Sequence, residues 1–103
     1  MRVIPVKVLR DFWGIHPAAE QPLKAWFHEA STAKWLSPTQ VKDHYRSASI
    51  LKNSRVVFNI AGNRYRLVVA VLYEIEVVLI KFIGTHEDYD EIDANTVEQK
   101  YGR

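Results

Sequence analysis

The chain reads as an α+β fold: helices first, then three consecutive strands, then a short helix. Three observations predict it. Residues from Val56 to Ile83 alternate with period two, and between Leu9 and Ala30 apolar residues recur at helical spacing. After Gly84 the alternation stops and a helix-capping pattern replaces it.

Composition bounds the reading. At 103 residues the sequence is the size of one domain, 1–103, with a modest core. It is 48% hydrophobic, and three Trp and five Tyr argue for a folded chain rather than a disordered one. Cysteine is absent, which excludes disulfides and thiolate metal sites and suits a reducing, cytoplasmic setting. The start, MRVIPVKVLRD, has no long apolar run, so neither a signal peptide nor a membrane partner is expected. Charge is uneven: residues 1–83 hold twelve Lys or Arg against six acids, and residues 84–103 hold two against six. A basic body with an acidic tail points to an anionic partner, nucleic acid first among them.

Taken in order, Arg2 to Val8 reads as an edge strand that buries Ile4, Val6 and Val8, because Pro5 has no amide for a ladder. Leu9, Phe12 and Trp13 then fall at helical spacing, and Gly14 with His16-Pro17 ends that helix. His16 reads as a boundary residue. A second helix is expected from about Ala18 to Trp35, with Leu23, Trp26, Phe27 and Ala30 as its buried stripe and Pro22 in its first turn. Ser37-Pro38-Thr39-Gln40 has the form of a capped start and predicts a short helix to about Tyr45. Residues 46–54 read as a polar loop from which His44, Lys52 and Arg55 can overhang the sheet.

Three strands follow. Val56, Phe58, Ile60, Tyr65, Leu67, Val69, Val71, Val78, Ile80 and Phe82 form an apolar face. The opposite face takes Arg55, Val57, Asn59, Arg64, Arg66, Val68, Leu79, Lys81 and Ile83. A turn at Gly62-Asn63 sets Ile60 opposite Tyr65 and Asn59 opposite Arg66. A turn at Glu74-Ile75 sets Val68 opposite Lys81 and Arg66 opposite Ile83. Asn59, Arg66 and Lys81 would then converge on one side of the sheet. Thr85 can cap a short helix that carries His86, Tyr89 and Asp90 on one side, and Asp93 to Arg103 reads as a polar, frayed end.

This constellation suits cleavage of RNA better than its competitors. His86 and Asp90 make a thin metal-ligand set, and nearby cations oppose a divalent ion. No cysteine is present and no serine sits in a nucleophile elbow. RNA carries its own nucleophile, the 2′-hydroxyl. The protein must then supply a base, cations for the charge on the phosphoryl oxygens and an acid for the departing 5′-oxygen, with no metal or cofactor. The Arg66 fork can clamp a phosphate, and Lys81 can stabilise the same charge or move a proton. Histidine suits either proton transfer near neutral pH, which nominates His86. Tyr89 can donate, transfer a proton or stack on an unpaired base, or simply pack. Asp90 can orient His86, and Asn59 can read a base edge or merely shape its hairpin. Lys52, Arg55 and Arg64 are candidate RNA contacts. Which of His86 and Lys81 is the base stays open.

The stretch VVFNIAGNRYRLVVAV, the Lys81 strand and THEDYD together resemble the HigB family of type II toxin–antitoxin toxins, within the RelE superfamily. The phrase FN-x-x-GN-x-x-R followed by TH-x-x-YD carries the likeness, and length and element order agree along the whole chain. The resemblance implies a RelE-like fold with two N-terminal helices packed on one face of a mainly antiparallel, twisted sheet. It implies an mRNA endonuclease that cuts translated messages in the ribosomal A site. It also implies a HigA-like helix-turn-helix antitoxin as silencing partner, in a toxin–antitoxin hetero-oligomer. Arg66, Lys81, His86 and Tyr89 match positions where such toxins place catalytic or RNA-binding groups, and Asn59 and Asp90 fall within the shared motifs. Two alternatives share the fold or the charge: a ParE-like toxin that binds DNA gyrase, and a plain RNA-binding module.

Overall fold

Nine regular elements arise in a computed structural model that describes residues 1–98. They are β1 (Arg2–Ile4), α1 (Val6–Ile15), α2 (Glu20–Thr32), α3 (Pro38–His44), β2 (Ser49–Ile50), β3 (Arg55–Ile60), β4 (Tyr65–Leu72), β5 (Val77–Thr85) and α4 (His86–Asp90). The strands form one sheet in the order β1-β5-β4-β3-β2. Only β1 runs parallel to its neighbour, pairing Arg2 to Ile4 with Val77 to Leu79.

Apolar burial decides which face the helices cover. Leu9 of α1 and Leu23, Trp26 and Ala30 of α2 join Val56, Phe58, Ile60, Leu67, Val69, Val71, Val78 and Ile80 in one cluster. Phe58 lies at its aromatic centre, with ring centroids 5.4 Å from Trp26, 6.2 Å from Trp35 and 5.1 Å from Tyr45. This is the α+β arrangement expected, with both N-terminal helices against one sheet face. Among the described residues no helix is long and apolar enough to cross a membrane.

The first strand is shorter than expected. It ends at Ile4, and α1 already begins at Val6. Proline supplies no ladder amide but fits the start of a helix, so Pro5 becomes the boundary rather than a strand residue. The buried side chains here are Met1 and Val3, not Ile4, Val6 and Val8 as a longer strand would require. The edge position of the strand is as expected. The helix α2 is also trimmed: Pro17–Ala19 forms a 3-10 turn, and Trp35 is buried outside the helix. Pro22 falls in the first turn, where its missing amide has no intrahelical partner to lose. The cap of α3 holds, with Ser37 Oγ accepting from the Gln40 amide at 3.4 Å. The Gln40 side chain bonds Leu36 N rather than the Ser37 amide that a reciprocal capping box would use. The strand β2 was not expected. It is two residues long and exposed on both, so it carries no burial alternation to read.

Sheet register positions the candidate site. The pairs Ile60–Tyr65 and Asn59–Arg66 are those expected from the Gly62-Asn63 turn. Between β4 and β5 the expected pairing holds from Leu72–Val77 to Val69–Ile80. A bulge then steps the pairing by one, so that Phe82 faces Val68, Ile83 faces Leu67 and Gly84 faces Arg66. Lys81 is the extra residue and opposes none of β4, in place of the expected Val68–Lys81 and Arg66–Ile83 pairs. Beyond the bulge the faces exchange: Ile83 joins the core cluster, while the Phe82 ring lies over Gly84 on the outer face. A Cβ on Gly84 would stand 2.5 Å from that ring, so glycine is what lets the ring fold down there.

The outer face is covered too. Val57, Val68 and Ala70 are buried although the helices lie on the other side. The chain after α4 returns to this face, and the Arg55 guanidinium bonds the carbonyls of Ala94 at 3.2 Å and Val97 at 2.6 Å. The expected fraying from Asp93 onward is therefore corrected for residues 93–98, which are tied down by Arg55. Residues 99–103 lie outside the described residues.

Candidate active site

Asn59, Arg66 and Gly84 sit side by side on three adjacent strands of the outer face. The position a side chain at Gly84 would take is filled by the Phe82 ring and by Asp88 Cβ, so the glycine lets these pack down next to Arg66. Arg66 Nη1 donates to the carbonyls of Asn63 at 3.0 Å and Tyr65 at 3.3 Å, which fixes the base of the fork. The guanidinium carbon lies 5.8 Å from the ring centroid of Tyr89. The structure thus pairs Asn59 with Arg66 as expected and sets the Tyr89 ring beside Arg66, while the bulge takes Lys81 out of the expected pairing with them.

The helix α4 presents the remaining groups, and its geometry rests on a complete capping box. Thr85 Oγ1 accepts from the Asp88 amide at 3.1 Å, and Asp88 Oδ2 accepts from the Thr85 amide at 3.4 Å. The His86 amide also donates to the Arg64 carbonyl at 3.0 Å, which fastens the helix start to β4. His86 Nδ1 lies 3.3 Å from Asp90 Oδ2, so Asp90 is placed to orient the imidazole. In a five-residue helix the cap is a large part of what holds the turn. Thr85→Ala is expected to cost about 0.5–2 kcal/mol and to lower cleavage with it. Chemical denaturation and a cleavage assay on the same variant check this.

His86 does not face Arg66 across the sheet. It lines a cavity of about 420 Å³ with His16, Asn63, Arg64, Tyr65, Thr85 and Glu87. Arg64 is exposed, its guanidinium carbon 5.8 Å from the Tyr65 ring centroid. His16, read from sequence as a boundary residue, therefore shares a cavity with the candidate proton-transfer group. No local pattern marks it, since the other residues of the cavity come from the turn before β4, from β4, from the end of β5 and from α4, far along the chain.

Lys81 and Arg55 lie on the outer face but are already engaged. Lys81 Nζ bonds Glu98 Oε1 at 2.9 Å, and Arg55 Nη2 bonds Glu98 Oε2 at 2.7 Å. One carboxylate bridges both cations. Arg55 is only 6% exposed, so its donors serve the chain's own carbonyls and Glu98. Lys52 is exposed in the turn before β3, at the opposite end of that strand from Asn59.

The hydrogen bond from Lys81, and after it the pair with Arg55, holds the Glu98 carboxyl below its ordinary range. The folded-state value is depressed, so the contribution is present above the unfolded value and is lost as pH falls through the lower, folded one. Glu98 is 62% exposed, which leaves this hold open to salt screening. An NMR titration is expected to place the Glu98 midpoint below that of an unfolded-chain glutamate, and Lys81→Ala is expected to raise it.

A family model described as "HigB_toxin, RelE-like toxic component of a toxin-antitoxin system" matches residues 19–92. The "mRNA interferase toxin HigB" of Escherichia coli (strain K12) is 28% identical over 96 residues, covering 91% of this chain and 92% of that protein. The proteins named "mRNA interferase HigB" in Escherichia coli O157:H7 and Shigella flexneri align with the same identity and coverage.

Proposed function

Because the chain belongs to the HigB family of RelE-like toxins, we propose that it is the toxin of a toxin–antitoxin pair and an endoribonuclease acting on mRNA. The relatives' names as mRNA interferases support this activity. The observation that carries it is the Arg66 guanidinium beside the Tyr89 ring on the outer sheet face, on a residue paired with Asn59 on one side and Gly84 on the other.

The proposed reaction is attack by a message's 2′-hydroxyl on its own adjacent phosphate. A base takes the 2′-proton, the O2′–P bond forms, the P–O5′ bond breaks, and an acid returns a proton to the 5′-oxygen. Arg66 binds the phosphoryl oxygens with its fork and stabilises the added charge. Tyr89, beside that fork, stacks on the neighbouring base or donates to the phosphate. His86, oriented by Asp90, handles a proton. Lys81 adds a second cation once Glu98 leaves it, while Asn59 and Arg64 guide the strand. Lys52 is a peripheral backbone contact, and Arg55 anchors the segment that carries Glu98. The substrate brings the nucleophile, so the scheme uses no metal-bound water and no cofactor.

In the same proposal residues 1–103 act as one toxin domain in the cytoplasm, on messages in the ribosomal A site. A HigA-like antitoxin silences it in a hetero-oligomer. The gyrase-binding alternative is not favoured, since the relatives carry the name of an RNA-cutting activity. Induction of the toxin followed by primer extension on translated messages tests the proposal. Discrete cuts that disappear in His86→Ala are the expected result. DNA damage without RNA cleavage, or RNA binding without cuts, would replace it with one of the alternatives.

A further inference from the structure

We propose that the cleft between the C-terminal end of α1 and the start of α4 seats a nucleotide of the message next to the scissile phosphate, and that His16 touches it. This rests on the RNA-cleaving reading above and adds a second wall to that site. Three features carry it. The cavity, about 420 Å³, falls within the range of small-ligand sites and is lined by the candidate proton-transfer group His86. Its other walls supply the chemistry a nucleotide needs: the Arg64 guanidinium for phosphate, the Asn63 amide for a base edge and the Tyr65 ring beside them.

The third feature is how His16 is held. Its ring stacks on Phe12 with centroids 4.5 Å apart and planes 27° apart, and it meets the Tyr65 ring at 5.9 Å and 60°. Two aromatic neighbours therefore fix the imidazole. Among the described residues no hydrogen bond reaches its nitrogens, although the ring is half-buried. Its nitrogens are not among the sealed, unpartnered polar atoms of the described residues, so they stay accessible to whatever enters the cleft. An unpaired nucleotide fits this set better than an apolar peptide, because the Arg64 guanidinium and the imidazoles of the lining offer a phosphate both charge and hydrogen-bond donors. Glu87 is the one acid of the lining, against the Arg64 guanidinium and two imidazoles.

The test compares the full-length toxin with His16→Phe, induced to matched protein levels, with cuts counted by primer extension. Phenylalanine keeps the stack on Phe12 and Tyr65 but removes the ring nitrogens. Cut intensity is expected to fall about tenfold, near 1.4 kcal/mol, and to fall unevenly among sites, since a nucleotide subsite reads the neighbouring base. Circular dichroism and thermal melting report whether the fold survives. If His16→Phe does not fold, His16→Leu, which also lacks polar side-chain atoms, carries the loss of the nitrogens. Wild-type cut intensities and positions in a folded His16 variant would overturn the subsite while the cleavage reading stands, provided Arg66→Ala is silent in the same experiment. Absence of cuts by the unaltered toxin would overturn both.

Discussion

Arg66→Ala is expected to reduce mRNA cleavage on the order of 10²- to 10³-fold, the usual consequence of removing one group that stabilises transition-state charge. The fold should survive the change. Arg66 is half-exposed, its bonds go to the carbonyls of Asn63 and Tyr65 in the adjoining turn, and its remaining close neighbour is the Tyr89 ring. Arg66→Lys keeps the charge but not the two-pronged geometry, so it is expected to recover only part of the rate. Quantified primer extension after induction measures the rate, and thermal melting measures the fold. A folded Arg66→Ala toxin that cuts within threefold of wild type would move the phosphate site elsewhere on the sheet.

Phe58→Ala is expected to be the most damaging single truncation in the core, costing about 3–5 kcal/mol. Phe58 is 1% exposed, and the rings of Trp26, Trp35 and Tyr45 close around it from α2, from the segment after it and from the end of α3. Its removal leaves a cavity bounded by elements that cannot all collapse together. A domain of this size has roughly 5–15 kcal/mol of stability in total, so a large fraction goes at once. Urea denaturation followed by tryptophan fluorescence measures the loss. Phe58→Leu, which keeps most of the volume, is expected to lose well under half as much. A Phe58→Ala midpoint close to wild type would mean that the aromatic cluster is not the structural centre.

Local chemistry made much of this legible in the sequence. Gly62-Asn63 set the β3–β4 register, and Asn59 and Arg66 stand opposite one another as that turn requires. Ser37 and Thr85 marked helix starts because a hydroxyl that can reach an amide three residues on has a local signature. What stayed hidden depends on distant parts of the chain. The bulge at Lys81 arises where β5 must bring Ile83 into the core and fold Phe82 over Gly84, and alternation alone cannot show it. The binding of Glu98 to Arg55 and Lys81 joins positions more than fifteen residues apart, with no periodic cue. The same reason hid His16: its partner Phe12 is local, but Tyr65 and the cleft are not. Charge counting found the cations of the outer face but could not say which were already paired.

The parallel match of β1 with β5 bears on how the protein is made. Residues 2–4 are made long before their partners, residues 77–79, so this edge of the sheet must wait for all the elements between them. Contacts of such long sequence separation form slowly because a large loop must close first. The groups of α4 follow β5 and arrive later still. The parallel edge pair and the helix that follows β5 therefore come together only after the strands between them have been made.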